Sequence, residues 1–164
     1  MTVVKIALIG IAGILVGFKG YRQYESSQMT QPYEFNHSVH TIMACVRCHE
    51  GAVDGVRATL PPIKTCLKCH ATSPRTEPSE IAVWNDAVKR GGFKWNKLTF
   101  VPDHVHFSHR RHTKFGKIQC ESCHGDMKYA TAPPSLPLVR IRMGLCIDCH
   151  RERGESDDCV RCHK

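Results

Sequence analysis

The chain has 164 residues, ten cysteines, a formal net charge of +8 and an aromatic content of 7%. That length bounds it to one small domain, and so few aromatics are thin for a side-chain core of that size. A disulfide scaffold or zinc module would explain the cysteines, and a nucleic-acid partner the charge, but the positions of those residues argue against both.

The first element is an apolar run from Val3 to Phe18, broken only by Lys5. It is close to the shortest helix that spans a bilayer. Lys19, Tyr21, Arg22 and Tyr24 follow, a composition suited to the membrane interface. A cleaved secretory signal needs small residues after its apolar run, and bulky and basic ones stand there instead. Residues 1–24 therefore read as an uncleaved N-terminal transmembrane anchor, although Lys19 and Arg22 run against the positive-inside bias. Residues 25–164 are then exported to the periplasmic side of the inner (cytoplasmic) membrane.

Along the exported part, every cysteine belongs to a Cys-x-x-Cys pair followed at once by histidine. The pairs are Cys45 and Cys48 with His49, Cys66 and Cys69 with His70, Cys120 and Cys123 with His124, Cys146 and Cys149 with His150, and Cys159 and Cys162 with His163. This is the attachment signature of c-type haem. Two thiols form thioethers to the two vinyl groups of one porphyrin, and the adjacent histidine falls under the iron as its proximal ligand. One match would be weak, because zinc ribbons and thioredoxin-like sites also use Cys-x-x-Cys. Five matches with no cysteine left over have no such alternative, so five covalently bound haem c groups are expected.

The remaining histidines are His37, His40, His104, His106, His109 and His112. Four of them form a short internal repeat, Phe-x-His-x-x-His, at Phe35–His40 and Phe107–His112, each ahead of an attachment site. Histidines three apart are neighbours on one helical turn and can serve two different irons. His37, His40, His109 and His112 are accordingly expected as distal ligands, with each phenylalanine packed on a porphyrin. The fifth distal ligand is open among Met143, His104 and His106. A histidine–methionine haem would have a higher potential than its bis-histidine neighbours.

Between these sites the chain offers under thirty residues per haem, which leaves the porphyrins themselves as the core. The fold expected is mostly irregular with short α-helices wrapped around haem. Leu60-Pro61-Pro62 and Ala132–Pro137 read as extended or turn segments. One longer helix is expected from Ser79 to Arg90, with Ser79 as N-cap, Gly91-Gly92 as the stop and Ile81, Trp84 and Val88 facing inward. Trp84 and Trp95 are packing residues by default. Chain order groups the first two attachment sites into one lobe and the last three into another, within a single domain. Ten propionates would bring the formal charge from +8 to about −2, so Arg47, Lys68, Arg110, Arg111 and Arg161 read as propionate partners. No nucleic-acid partner is expected.

Phe-x-His-x-x-His ahead of Cys-x-x-Cys-His resembles the class III multihaem cytochromes, whose first histidine ligates the local haem and second a neighbour. A fuller set resembles the pentahaem subunit of alternative complex III, a quinol-oxidising respiratory assembly. It comprises Gln31-Pro32, Leu60-Pro61-Pro62, Pro102-Asp103-His104-Val105, Cys123-His124-Gly125 and the run Met143-Gly144-Leu145-Cys146-Ile147-Asp148-Cys149-His150-Arg151. The resemblance runs from about Tyr21 to the C-terminus. A related menaquinone reductase complex has a similar subunit with one more haem, and the count of five favours the former.

That family often has aromatics where His104 and His106 stand and a tryptophan where Leu145 stands. Its Met-Gly-x-Cys methionine implies Met143 as the axial ligand. The linker between His40 and Cys45 is also shorter than the family's, with four residues. The resemblance implies an electron-transfer subunit with no catalytic residues of its own. It would carry electrons from a quinol-oxidising membrane complex to a periplasmic or membrane acceptor, beside iron–sulfur/molybdopterin-like and quinol-binding subunits. The rivals are a free-standing membrane-tethered shuttle and a small multihaem reductase, which would need one iron with an open position.

Overall fold

The computed structural model describes residues 10–21 and 29–163 and divides the chain into two units, Met1–Thr30 and Gln31–Lys164. The described part of the first unit is a helix, α1, over residues 10–21, with Ile11, Ile14, Leu15, Val16 and Phe18 exposed. No helix among the described residues is long and apolar enough to cross a membrane. Half of the expected anchor, residues 1–9 and 22–24, lies outside the described residues.

The second unit is built from short turns of helix joined by irregular chain. Its α-helices are α2 (Ile63–Cys66), α3 (Pro78–Arg90), α4 (Glu121–His124), α5 (Met143–Glu152) and α6 (Cys159–Cys162). Three-residue 3-10 turns stand at Ser38–His40, Cys45–Arg47 and Met127–Tyr129, and a π turn at Arg111–Phe115. Among the described residues there is no strand, only an isolated antiparallel bridge between Val105 and His163. Pro62, extended at φ −71° and ψ 158°, ends the Leu60-Pro61-Pro62 segment and leads into α2.

The longest helix of this unit, α3, has its expected end but not its expected start. Gly91 closes it in the left-handed region at φ 82°, where a side chain would be strained. The N-cap is Glu77 rather than Ser79, because Pro78 at the first helical position needs no amide partner and has its φ already set. Glu80 in the first turn and Lys89 and Arg90 in the last suit the helix dipole. Trp84 and Ala87 are buried, whereas Ile81 and Val88 are 36% and 41% exposed. The buried stripe therefore keeps the expected Trp84 but continues through Ala87 and not Val88, because α3 packs on Ile63 of α2 and Tyr33 through these two residues.

The side-chain core is Tyr33, Ile63, Trp84 and Ala87, with Phe35, Cys66, Val83, Phe93 and Trp95 packed against it. Tyr33 stacks on Phe93 at 4.8 Å and meets Trp84 at 5.9 Å. All of it comes from residues 33–95. None of residues 96–163 is buried, although three of the five attachment motifs lie there. A chain that folds with so little apolar burial needs something other than side chains to fill it.

The two expected lobes are not separate. The turn at His109 is bonded to the loop after the first motif, through His109 N to Val56 O and Arg110 N to Gly55 O, both at 2.9 Å. Conversely His37 N and Ser38 N donate to Ala130 O, beyond the third motif, at 2.9 and 3.1 Å. Each histidine turn is thus held by the loop that follows the other module's attachment site.

Candidate haem-binding site

Each attachment motif is one turn of helix. The histidine amide donates to the first cysteine's carbonyl in four of them, at 2.9 Å for His49 to Cys45 and for His70 to Cys66, 3.0 Å for His124 to Cys120 and 2.8 Å for His163 to Cys159. The fourth motif lies inside α5. This winding puts the two sulfurs three residues apart on one side, with the imidazole on the next position of the same face. All ten cysteines are free thiols. No three histidine, cysteine or acidic side chains among the described residues gather around one point, as a zinc ribbon would require.

Three of the four expected distal histidines face motif histidines. His40 and His70 have ring centres 6.2 Å apart, His109 and His124 6.3 Å, and His112 and His150 6.1 Å. Spacings of this size leave room for one metal ion between the facing imidazole nitrogens. His37 has His49 as a charge neighbour, and burial holds the His37 imidazole below its ordinary pKa. A further pair, His104 and His163, stands at 5.5 Å with planes 17° apart. Met143, at the start of α5, is 65% exposed. His106 is exposed, and its amide donates to Cys162 O at 2.7 Å.

Backbone carbonyls orient five of these rings. Nδ1 of His40 meets Asn36 O at 2.8 Å, and Nδ1 of His112 meets Ser108 O at the same distance. Nδ1 of His49, His109 and His150 meets Thr59 O, Val56 O and Ser156 O at 3.1, 3.3 and 2.7 Å. A carbonyl only accepts, so each Nδ1 carries the proton and Nε2 is left as the electron-pair donor. His37 Nδ1 is buried without a protein partner. The phenylalanines expected against porphyrin pack on their own histidines: Phe35 lies 4.8 Å from His37 and 4.9 Å from His40, Phe107 4.9 Å from His109 and 4.7 Å from His112. Trp84, whose packing role was expected, stands 6.4 Å from His70 and edges the first pair with the aromatic core.

Burial pushes the Cys48, Cys66, Cys120, Cys123 and Cys146 thiols up, and their charge neighbours order the motifs. Cys66 neighbours Cys48, Cys45 hydrogen-bonds Cys120, Cys123 neighbours Cys149, and Cys146 neighbours Cys162. The second motif thus adjoins the first, the first the third, and the last three follow in chain order. Among the described residues, Arg47, Lys68, Arg110, Arg111 and Arg161 form no ion pair and remain available to propionates. A groove of about 520 Å³ beside α5 is lined by Arg140, Arg142, Gly144 and Leu145 among others, adding two arginines that the sequence did not single out.

Free thiols in pairs, opposed imidazoles with bare Nε2 and a side-chain core of only four buried residues fit covalently attached haem. The comparisons with known proteins agree. Residues 18–94 match the class III cytochrome c family, and residues 105–164 match cytochrome c7 and related cytochrome c. Over these two stretches the chain is similar to multihaem c-type cytochromes. A curated relative, "Menaquinone reductase, multiheme cytochrome c subunit" of Nitratidesulfovibrio vulgaris (strain Hildenborough), is 28% identical over 181 residues, covering 94% of this chain and 86% of the relative.

Proposed function

We propose that the chain is the haem-bearing subunit of a quinone-linked membrane complex, carrying five haems that relay electrons between the complex's quinone-handling subunits and a redox partner on the periplasmic side. The observation that carries this reading is the pairing of imidazoles across the fold: a motif histidine faces a second histidine wherever a ring pair occurs. His37 with His49, His40 with His70, His109 with His124 and His112 with His150 would close both axial positions of four irons. The ten thiols would hold the rings covalently, and the carbonyl-bonded Nδ1 atoms would keep each Nε2 aimed inward. Bound haem supplies reversible one-electron transfer, and bis-histidine iron has no open position for substrate. That closure favours a relay over a multihaem reductase. The single-file order of the attachment motifs supports one path, with the aromatic core at one end and the chain's C-terminal motif at the other.

An N-terminal anchor over residues 1–24 would hold this domain at the inner membrane, beside iron–sulfur/molybdopterin-like and quinol-binding partner subunits. The resemblance to the pentahaem subunit of alternative complex III favours quinol oxidation as the physiological direction. The menaquinone reductase relative favours the reverse as a second reading. Mild detergent extraction of the native membrane tests the proposal. The chain should emerge in a large assembly with all five haems low-spin, and menaquinol should reduce them. Emergence as a monomer, or a high-spin haem that binds nitrite, would refute it. Haems that menaquinol leaves oxidised, but that a low-potential donor reduces and menaquinone reoxidises, would reverse the direction.

A further inference from the structure

We infer that His104, not Met143, is the distal ligand of the fifth haem, so that all five irons carry two imidazoles. This rests on the haem reading above and deepens it at one site. His163 closes the last motif, and the His104 ring stands 5.5 Å from it with planes 17° apart, close to the spacing of the three ring pairs at 6.1–6.3 Å. The approach is held by backbone on both sides of the ring. Val105 bridges His163 in antiparallel fashion, and the His106 amide donates to Cys162 O at 2.7 Å. The Val105 amide also bonds Pro102 O at 3.0 Å, which closes the turn carrying His104. Residues 102–106 therefore form a clamp whose only ring contact with the last motif is made by His104.

The two other candidates lack this placement. His106 contributes its amide to the clamp and no ring contact. Met143 begins α5, the helix that already carries Cys146, Cys149 and His150; it is exposed, as His104 is, so the ring placement against His163 and not burial separates the two. A thioether ligand raises a haem's potential above that of its bis-histidine neighbours. With His104 in its place, no step in potential along the chain arises from ligand type. Differences between haems then come from burial, charge and the arginines near their propionates.

The test uses the full chain matured with haem, as wild type, Met143→Leu and His104→Met. Near-infrared magnetic circular dichroism distinguishes imidazole–imidazole from imidazole–thioether iron, and intact mass counts attached haems. Wild type should show bis-imidazole bands alone at a mass of five haems, and Met143→Leu should match it. His104→Met should convert one haem in five to the thioether type and raise one potential. A thioether band in wild type that Met143→Leu removes would overturn the assignment while leaving the five-haem relay intact. A wild-type mass short of five haems would overturn the relay reading and this assignment together. The wild-type and Met143→Leu spectra decide the matter even if His104→Met fails to fold.

Discussion

The two Phe-x-His-x-x-His modules carry the same ring arrangement on different backbones. In each, phenylalanine meets the first histidine edge-on and the second face to face, at 86° and 15° in one and 84° and 26° in the other. In each, the second histidine's Nδ1 donates to the carbonyl four residues earlier. Yet the first module winds as a 3-10 turn and the second as a π turn. The linker to the attachment motif differs too, with Thr41–Ala44 in the first and Thr113–Gln119 in the second. The longer linker makes a tight corner, in which a Cβ on Gly116 would lie 2.7 Å from His112 O and Lys117 sits at φ 54°. Side-chain geometry is therefore the constrained quantity, and backbone winding adjusts to deliver it. That is the expected order of priority where ring placement decides ligation.

If the modules are equivalent where it matters, His40→Ala and His112→Ala should have the same consequence. Each should leave one haem in five high-spin and able to bind cyanide, read by electron paramagnetic resonance and cyanide titration. A low-spin spectrum in either variant would break the equivalence. The next effect should separate the modules. Gly116→Ala forces a methyl against the His112 carbonyl and should lower stability by about 1–3 kcal/mol, seen as a lower Tm. At the neighbouring position, Lys117→Gly should relieve a left-handed conformation and raise stability by roughly 1 kcal/mol in the same measurement.

Thr113 bonds both His109 O and Ala52 O at 2.8 Å, so Thr113→Val should cost about 1 kcal/mol by loosening the second module from the loop after the first motif. The smallest effect belongs to the first linker. Ile42 is 95% exposed, and Ile42→Ala should stay within about 0.5 kcal/mol of wild type. A larger loss there would mean that the short linker is as tightly built as the long one.

Much of the site was legible because c-type attachment requires a fixed chemical spacing. Two sulfurs and an imidazole within one helical turn leave a local pattern, and the paired histidines of Phe35–His40 and Phe107–His112 leave another. The main helix was legible in its end, since Gly91 is a local stop signal. Its start was displaced by Pro78, and its buried stripe by the neighbours it packs on, Ile63 of α2 and Tyr33. The carbonyl partners of His40 and His112 were readable in principle, because a helical turn brings residues four apart together. Those of His49, His109 and His150 were not all so local: Val56 lies 53 residues before His109.

The sequence by itself determined the local pattern: ten cysteines in five Cys-x-x-Cys pairs, each followed by a histidine, with a surplus of histidines to face them. Only the tertiary structure decided which distant ring meets which. His104 comes to His163, 59 positions on, and each module's turn is clasped by the other's loop. The physical reason is range. Thioether attachment is written within five consecutive residues, whereas opposing two imidazoles across a ring depends on how separate stretches of chain are brought together, and no local pattern records that.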